Sequence, residues 1–515
     1  MEPRHVVFVA SECEPWAKTG GLADVVDALA RALGGAGVSV DVYLPAYRSA
    51  RRPEVRSRLT ISVPVAPHAG ARMPEDVATV DILTGPADGY RLRLVDHPFH
   101  FDRAGFYGDE DGDFPDNGAR FALFGRAVLE TIRQEGRPVD VVHGHDWQAC
   151  PALLYRDAHY ADDPLVGGPA TVLTIHNLGY HGWVPRPRAK ALDLPPNVGE
   201  RAGVDLLREG IRAADLVTTV SPTYAREALT TEYGMGLEAD LAAREDRFVG
   251  IMNGIDPGLW DPATDATLPV RYGVRPDPRR GAMPVHQGKL AAKLDLAGRH
   301  GLEGAGARPL LGMIGRLDPQ KGFDLLAGAA ERIVDQGGLL IVLGTGNAAL
   351  LDELRAVAAK RPGRIAVIER FDRDEARRIY AGSDLFLMPS RFEPSGQGQL
   401  IAFRYGTPVV ARRTGGLADT VADDDAPGVR GRGNGFLFED ASADALAETV
   451  RRALAAHADT ARWEDLVVRV MGLDHSWASP AARYLEAYGR ALELHRASSG
   501  AASRTGGRAP DGPGP

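Results

Sequence analysis

Short, continuous apolar runs alternate with amphipathic segments along the first half of the chain. Runs of this kind occupy residues 6–10, 38–44, 139–142, 171–175 and 216–220. They are typical of strands that are buried on both faces of a parallel sheet. Residues 21–33 repeat apolar side chains along one helical face, which predicts a helix between the first two strands. The pattern therefore predicts a doubly wound α/β domain over residues 1–256, with functional groups just after the strand ends.

The same pattern returns in the second half and predicts a second doubly wound domain over residues 309–476. Apolar runs lie at residues 309–314, 339–343, 365–368, 385–388 and 409–411, and a helix is predicted from Phe323 onward. Residues 257–308 hold several prolines and many arginines, and we expect a linker with little core there. Residues 497–515 have no large apolar side chain, which predicts a disordered tail.

Composition narrows the class of protein. The 515 residues are enough for two or three domains with a core, and 44% hydrophobic and 25% charged residues are ordinary for a globular protein. A net charge of −9 argues against a nucleic-acid partner. Apolar runs are too short for a membrane span or a secretory signal. The only two cysteines, Cys13 and Cys150, argue for a reducing compartment, so we expect a cytoplasmic protein with no membrane partner.

One segment occurs twice, once in each predicted domain. Lys18-Thr19-Gly20-Gly21-Leu22-Ala23-Asp24 is repeated as Arg413-Thr414-Gly415-Gly416-Leu417-Ala418-Asp419, and each copy precedes a helical pattern. A basic residue, a hydroxyl and two glycines before a helix offer exposed N–H groups and a favourable dipole to an anion. Two copies indicate two similar domains around one ligand, although a tight turn without a ligand explains either copy alone.

Charged side chains follow two predicted strands of the second domain. Arg316 and Lys321 bracket a proline turn after the first strand, and Glu393 lies in a later loop. Two cations at the ligand-binding edge of a sheet can converge on a diphosphate, and a glutamate beside them can bind a sugar. Ordinary surface loops are the alternative interpretation.

Other motifs favour other functions. Residues 344–349, Gly-Thr-Gly-Asn-Ala-Ala, mimic a dinucleotide fingerprint with Glu369 as ribose ligand, so an NAD-dependent oxidoreductase is the rival hypothesis. That fingerprint usually opens its domain, whereas here it follows the second strand. His143-x-His145-Asp146 lacks a second pair of metal ligands, and the acidic run at residues 109–113 is interpreted as a solvated loop. We therefore predict no metal site.

A set of motifs resembles bacterial glycogen and starch synthases, in that family's order, from about Val6 to Tyr488. The motifs are Lys18-Thr19-Gly20-Gly21-Leu22, His145-Asp146-Trp147, Thr174-Ile175-His176-Asn177-Leu178, Val220-Ser221-Pro222-Thr223-Tyr224-Ala225, Asn253-Gly254-Ile255-Asp256, Gly315-Arg316-Leu317, Lys321-Gly322 and Arg391-Phe392-Glu393-Pro394. The resemblance implies a family 5 glycosyltransferase with the GT-B fold, two Rossmann-like domains facing each other across a cleft. Its partners would be ADP-glucose and an α-1,4-glucan, to whose non-reducing end glucose is added with retention and without a bound cofactor. The C-terminal helix, residues 477–496, would return to the N-terminal, acceptor-side domain.

The resemblance also implies roles for individual residues. Those expected around the diphosphate are Lys18, Gly20, Gly21, Asp24, Arg316, Lys321, Thr414, Gly415 and Gly416. Those expected around the donor glucose or the acceptor are Asp146, His176, Asn177, Asn253 and Glu393, with the His176 carbonyl oxygen near the anomeric carbon. Phe371 would stack on the base, and the loop that begins with Ser395 and Gly396 would add N–H donors. The residues expected to carry catalysis are Lys18, His176, Arg316, Lys321 and Glu393.

The implied chemistry needs no metal. Fixed cations can stabilise the charge on a leaving diphosphate, each pair contributing up to about 4 kcal/mol before desolvation. Ile401 stands where related retaining transferases carry a second glutamate, so we expect a front-face mechanism in which the leaving phosphate takes the acceptor proton. The chain departs from the family's usual residues at His181, Arg208, Ser395, Gln397 and Gly398. These departures put the donor base in more doubt than the type of reaction. UDP-glucose as donor, a small acceptor and non-catalytic glucan binding stay open as alternatives.

Overall fold

The computed structural model describes residues 3–50, 54–65, 77–110, 112–195, 197–275 and 281–505. The chain forms two compact units. The first contains the chain up to Val220, Ala225–Ile251 and the residues from Trp477 onward, and the second contains Ser221–Tyr224 and Met252–Ser476. The main boundary therefore lies at Ile251 and not at residue 256.

A nine-stranded sheet forms the centre of the first unit, with the order β13-β12-β9-β8-β1-β2-β5-β4-β3. Its strands are β1 (His5–Val9), β2 (Ser39–Pro45), β3 (Ser57–Pro64), β4 (Val77–Pro86), β5 (Arg91–Asp96), β8 (Val141–His145), β9 (Ala170–Ile175), β12 (Leu216–Thr219) and β13 (Phe248–Gly250). Neighbouring strands are parallel from β13 through β5, and only the β5-β4-β3 edge is antiparallel. The parallel strand ends that were predicted to carry functional groups therefore lie along one edge of the sheet.

Helices and two small two-stranded hairpins accompany this sheet, and the helix Pro222–Glu227 begins in Ser221–Tyr224, which belongs to the second unit. The helices are α1 (Gly21–Gly35), α2 (Pro98–Phe101), α3 (Asn117–Glu135), α4 (Cys150–His159), α5 (Arg186–Ala189), α6 (Leu206–Ala213), α7 (Pro222–Glu227) and α8 (Glu238–Ala242). The hairpins pair β6 (Gly108–Asp109) with β7 (Gly112–Asp113), and β10 (Trp183–Pro185) with β11 (Gly203–Asp205). The acidic run at residues 109–113 thus forms the first hairpin, with Asp111 outside the described residues.

The second unit is built on a six-stranded, all-parallel sheet with the order β18-β17-β16-β19-β20-β21. These strands are β16 (Leu310–Ile314), β17 (Leu339–Leu343), β18 (Ile365–Ile368), β19 (Leu385–Met388), β20 (Val409–Arg412) and β21 (Gly435–Phe438). Its helices are α9 (Val285–Arg299), α10 (Phe323–Asp335), α11 (Ala348–Lys360), α12 (Arg373–Gly382), α13 (Gly398–Arg404), α14 (Gly415–Thr420), α15 (Ala443–Ala458) and α16 (Thr460–Met471). Both units are therefore doubly wound, as the apolar pattern predicted.

The prediction of a linker with little core over residues 257–308 is wrong. This segment contains β14 (Arg271–Gly273), β15 (Ala282–Pro284) and α9, which packs on α12. Tyr272 is fully buried and donates to the Tyr405 carbonyl oxygen over 2.9 Å. The buried Lys289 donates to the Ala381 carbonyl oxygen over 2.9 Å and to the Thr407 hydroxyl over 2.7 Å. The prediction failed because some of the long polar side chains of this segment, such as Lys289, are buried, whereas lysine and arginine in a sequence normally indicate an exposed segment.

The last helix, α17 (Ala478–Thr505), packs on α1, β9 and β12 of the first unit. Tyr484 and Tyr488 are fully buried in that contact. The helix continues through residues 497–505, so the prediction of disorder from residue 497 is wrong for those nine positions, and residues 506–515 lie outside the described residues. Among the described residues, no helix combines the length and apolar character needed to cross a membrane.

Candidate active site

The first loop of the first unit carries Lys18 between β1 and α1. Its Nζ lies 2.5 Å from Asp24 Oδ1 and 3.6 Å from Glu14 Oε2. Asp24 belongs to the first turn of α1, so the helix fixes the carboxylate that orients the lysine. A quarter of the Lys18 side chain, 25%, stays exposed. The structure thus brings Lys18 and Asp24 together and leaves the ammonium group within reach of a ligand.

Glu12 is a neighbour of this loop that the sequence analysis did not single out. Its buried carboxylate accepts hydrogen bonds from the Thr19 N–H (2.5 Å), the Thr19 hydroxyl (2.5 Å) and the Gly20 N–H (3.0 Å). Tyr107 donates a fourth over 2.7 Å. The expectation of exposed N–H groups is therefore wrong for Thr19 and Gly20, because an internal carboxylate already binds them. The position of Glu12 just after β1 was the available signal.

Gly20 and Gly21 lie next to open space. Neither has a positive φ, and a Cβ added to either would meet no atom within 4 Å. Neither backbone conformation nor packing within the described residues therefore requires glycine at these two positions. The first turn of α1 is accessible to a ligand that approaches closely.

The second copy of the repeat has a different role. Gly415 has φ +44°, and a Cβ there would collide with the Glu393 carbonyl oxygen. A Cβ on Gly416 would collide with the Ser395 carbonyl oxygen, and the Gly416 N–H donates to the Glu393 carbonyl oxygen over 3.0 Å. These glycines let α14 pack against the loop that carries Glu393, so the Gly416 N–H is occupied by protein and not exposed. Thr414 lies directly before them as the helix N-cap.

Lys321 and Glu393 form the central ion pair of the second unit. Lys321 Nζ lies 2.8 Å and 2.6 Å from the two carboxylate oxygens of Glu393, and the Ser390 hydroxyl donates to Glu393 over 3.0 Å. Glu393 is buried, whereas 27% of the Lys321 side chain is exposed. Gly322 has φ +73° and lies so close to the Pro389 carbonyl oxygen that no side chain fits. The loops after β16 and β19 are thus locked together at the carboxyl edge of the sheet.

Arg316 and Phe371 have the most exposed side chains of the predicted set. Arg316 follows β16, and its Nε lies 3.8 Å from Asp318 Oδ2 with 54% of the side chain exposed. Phe371 follows β18 and is 79% exposed, the largest exposure among the large hydrophobic residues of the described chain. An exposed cation and an exposed ring, at the ends of two strands that are separated only by β17, suit a phosphate and a flat base.

The dinucleotide-like motif has a structural role. A Cβ on Gly344 would collide with the Gly315 carbonyl oxygen, and Gly346, with φ +144°, packs against the backbone of Leu317. Asn347 caps α11 by accepting from Ala349 N–H over 2.9 Å. The motif therefore supports the loop that carries Arg316. Glu369 pairs with Arg355 over 2.7 Å, which leaves the oxidoreductase hypothesis without support from this geometry.

Gln399 ties down the loop between Glu393 and α13. Its Nε2 donates to the carbonyl oxygens of Ser395 and Gly396 over 3.0 Å and 3.1 Å. The Ser395 hydroxyl is buried and has no hydrogen-bond partner among the described residues. The Asn253 Oδ1, also in the second unit, is likewise buried without a described partner. Buried polar atoms are nearly always paired in native proteins, so both are candidates for contact with a ligand.

Asp146 fixes the backbone of His176 in the first unit. Asp146 has φ +56°, and its Oδ1 accepts the His176 N–H over 2.7 Å. Burial raises the pKa of Asp146 to about 7, although backbone N–H groups of His176 and Asn177 oppose the shift. Asn177 Oδ1 accepts the Gly179 N–H over 2.9 Å. The three predicted residues are therefore neighbours at the ends of β8 and β9.

Three histidine rings meet at the same strand ends. His145 Nδ1 lies 3.1 Å from His176 Nε2, and the His143 and His145 ring centroids are 4.2 Å apart. Burial lowers the pKa of His176 to about 3 and that of His143 and His145 well below the usual range. Both nitrogens of His143 are bound, to Tyr488 and Thr174, and no metal-binding group of His, Cys, Asp and Glu was found in the described part of the chain. His145 belongs to one of the sequence motifs, but no role was predicted for it from sequence.

Comparison with known proteins covers nearly the whole chain. Residues 5–243 match the starch synthase catalytic domain family, and residues 308–456 match the glycosyl transferases group 1 family. The chain is 40% identical over 501 residues to a glycogen synthase of Syntrophotalea carbinolica, covering 96% of this chain and 100% of the relative. It is also 40% identical over 504 residues to glycogen synthase 2 of Geobacter sulfurreducens, covering 95% and 99%.

Solved structures agree with these relatives. The catalytic domain of starch synthase IV from Arabidopsis thaliana, bound to ADP and acarbose, superimposes with a TM-score of 0.84 at 34% identity. The match covers 95% of this chain and 99% of that one. A sucrose-phosphate synthase from Thermosynechococcus elongatus shares the fold alone, with a TM-score of 0.59 at 18% identity. Two doubly wound units, the strand-end residues and these full-length similarities lead to one conclusion: the chain belongs to the glycogen and starch synthase family of glycosyltransferases.

Proposed function

We propose that the protein is a glycogen synthase that transfers glucose from ADP-glucose to the non-reducing end of an α-1,4-glucan, with retention of configuration. The observation that carries this proposal is the Lys321–Glu393 pair at the carboxyl edge of the second sheet. A buried carboxylate and a partly exposed ammonium side by side match a neutral sugar linked to an anionic leaving group.

In the second unit, Arg316 and Lys321 bind the diphosphate and Glu393 accepts hydrogen bonds from glucose hydroxyls. Glu393 keeps the Ser390 hydroxyl as a partner when Lys321 turns toward phosphate, so its charge is never left buried alone. Phe371 stacks on the adenine, and the Ser395 hydroxyl and Asn253 amide oxygen gain ligand partners. In the first unit, Lys18 adds a third cation for the diphosphate.

Retention follows from a front-face transfer. The bond from the anomeric carbon to the diphosphate breaks, the bond to the acceptor hydroxyl oxygen forms on the same face, and the hydroxyl proton passes to the departing phosphate. Ile401, eight residues after Glu393, is buried in α13 and offers no carboxylate. The positive charge that develops on the sugar is stabilised by the His176 carbonyl oxygen, whose segment Asp146 holds in place.

The proposed reaction uses no metal, because Lys18, Arg316 and Lys321 stabilise the negative charge of the leaving diphosphate. Cys13 and Cys150 are both free, buried thiols, which supports a reducing compartment and hence a cytoplasmic enzyme.

The experiment that tests this function is to incubate the protein with glycogen and either ADP-glucose or UDP-glucose carrying labelled glucose. Incorporation into polymer and release of nucleotide are measured with and without EDTA.

We expect polymer growth with ADP-glucose that survives EDTA. Polymer growth only with UDP-glucose would show that the donor is UDP-glucose and not ADP-glucose. Loss with EDTA and recovery with Mg²⁺ would overturn the metal-free part of the proposal. Glycogen binding without release of either nucleotide would leave a non-catalytic glucan-binding protein.

A further inference from the structure

The ring of His176 has one described hydrogen-bond partner, and that partner is another histidine. His145 Nδ1 lies 3.1 Å from His176 Nε2, so one of these two nitrogens must carry the proton that they share. The contact alone does not tell which nitrogen is the donor, because a neutral imidazole exists in two tautomers.

The environment of the other ring nitrogen of His145, Nε2, decides which tautomer is present. His145 Nε2 is buried and has no hydrogen-bond partner among the described residues. If the proton were on Nε2, a buried N–H would lack an acceptor, which is more costly than an unpaired lone pair. The proton of neutral His145 is therefore on Nδ1, which donates to His176 Nε2. His176 Nε2 is then an acceptor, and the proton of neutral His176 must be on Nδ1.

Packing holds His145 in the orientation that this requires. Phe8 of β1 contacts the His145 ring edge-on at a centroid distance of 5.0 Å, and His143 lies against it at 4.2 Å. His143 is fixed in turn by Tyr488 (2.8 Å) and Thr174 (2.6 Å). His145 is fully buried on β8, so its ring cannot turn without disturbing the core of the first unit.

We propose that His145 is a positioning residue that holds His176 as its Nδ1–H tautomer, so that His176 presents an N–H donor to an oxygen of the bound substrate. The inference rests on the proposed function for the identity of that oxygen, a hydroxyl of the donor sugar. Its geometric part, the tautomer, stands without any activity. A lone pair at His176 Nδ1 would instead demand a donor from the sugar, so the tautomer sets which hydrogen-bond pattern fits.

The direct test is nuclear magnetic resonance of the whole protein with ¹⁵N-labelled histidine. Nitrogen shifts and ring couplings distinguish the two neutral tautomers, and a His176→Gln variant assigns the resonance. We expect both His145 and His176 to be neutral and protonated on Nδ1 near neutral pH. A His176 protonated on Nε2, or on both nitrogens, would overturn the inference even if the enzyme is a glycogen synthase.

Variants test the consequence. His145→Asn keeps an N–H close to the position of Nδ1, whereas His145→Phe keeps the ring and removes the donor. We expect His145→Phe to lower kcat about five- to tenfold, the scale of one neutral hydrogen bond, with KM for glycogen unchanged. His145→Asn should recover most of that loss. His159→Phe makes the same substitution at a histidine that hydrogen-bonds the Asp193 carbonyl oxygen, and this control should keep wild-type kcat.

Equal losses in His145→Asn and His145→Phe would mean that His145 acts through packing alone, which overturns its role in positioning the proton. Should His145→Phe fail to fold, the tautomer measured in the wild-type protein still decides the question. If the protein has no transferase activity but His145 and His176 show the expected tautomers, the proposed function is wrong and the inference about the tautomers still holds.

Discussion

Glycine serves different purposes in the two copies of the repeated segment. At Gly415 and Gly416 it is required by the neighbouring backbone, since any Cβ would collide with the loop of Glu393. At Gly20 and Gly21 the surroundings are open and φ is not positive. The local sequence is nearly identical in the two copies, so only the residues packed against each copy show where the fold requires glycine.

The first prediction compares alanine at one glycine of each copy. Gly416→Ala should destabilise the second unit by on the order of 1–3 kcal/mol, because the added methyl group overpacks a closed contact. Gly21→Ala should leave the melting temperature unchanged or slightly higher, since alanine favours helix, but should raise KM for ADP-glucose. Calorimetry measures the two melting temperatures, and kinetics with ADP-glucose measure the two KM values. A normal KM in Gly21→Ala would show that the donor does not contact that loop.

The second prediction concerns the charge of Lys321. Lys321→Ala should lower kcat by on the order of 10²–10³, the scale for one lost electrostatic contact in the transition state. Lys360→Ala is the matched control, because Lys360 is an exposed lysine on α11 that pairs with Glu331 over 3.1 Å. Circular dichroism at the assay temperature checks folding, since Glu393 loses a partner in the first variant. Similar rates for the two variants would exclude Lys321 from the chemistry.

At the scale of elements, continuous apolar runs predicted most of the parallel strands. They missed β21, which is short but buried at all four positions, and the mixed strands of the antiparallel edge. Strands β1 and β17 are buried at every position and read as apolar runs. In β3, exposed polar side chains alternate with buried apolar ones over part of the strand, so it contains no continuous apolar run that would predict a strand. Most of the predicted site residues lie in loops after parallel strands. Glu12 has the same position after β1 but was given no role, and His145 is the last residue of β8. The roles of both depend on hydrogen bonds that only the folded chain supplies.

Helix α9 supplies the third prediction, which concerns pH. Burial lowers the pKa of Lys289 to about 7, with Asp384 opposing the shift and Lys293 adding to it. Between about pH 7 and pH 10 the folded state has lost this proton and the unfolded state keeps it, so stability rises with pH in that window. Below about pH 7 both states bind the proton and this slope disappears.

Calorimetry of the second unit's transition from about pH 7 to pH 10 measures this slope in wild type, in Lys289→Met and in Lys360→Met. The slope should be smaller in Lys289→Met than in the other two. Equal slopes in all three proteins would show that Lys289 stays charged in the folded state.

At the scale of the whole molecule, the first unit is discontinuous in sequence. The chain leaves it after Ile251 and returns at Trp477, and Ile255 N–H donates to the His475 carbonyl oxygen over 2.8 Å where the two crossing segments meet. Helix α17 then completes the core around Val6, Phe8 and Val172 with its tyrosines. The apolar runs predicted two domains, but periodicity has no information about which of them a terminal helix joins.

The fourth prediction distinguishes the part of α17 that packs in the core of the first unit from the C-terminal end of the helix. Removing residues 497–515 should change melting temperature and activity little, because Leu492 is the last buried residue of the helix among those with described side chains. Removing residues 484–515 should lower the melting temperature strongly, since Tyr484 and Tyr488 leave the core with it. A large loss from the shorter deletion would show that residues 497–515 dock on the protein.

This interrupted connectivity also sets an order of events during synthesis. When the ribosome has made the nine strands of the first sheet, the helix that covers its centre does not yet exist. At roughly 5–20 residues per second, translation of residues 252–476 takes about 10–45 s, and the second unit can fold within that time. The first-made half of the molecule is therefore the last to be finished. Throughout that interval its uncovered apolar face is a target for chaperones, and any premature stop before α17 releases a chain that cannot close its own core.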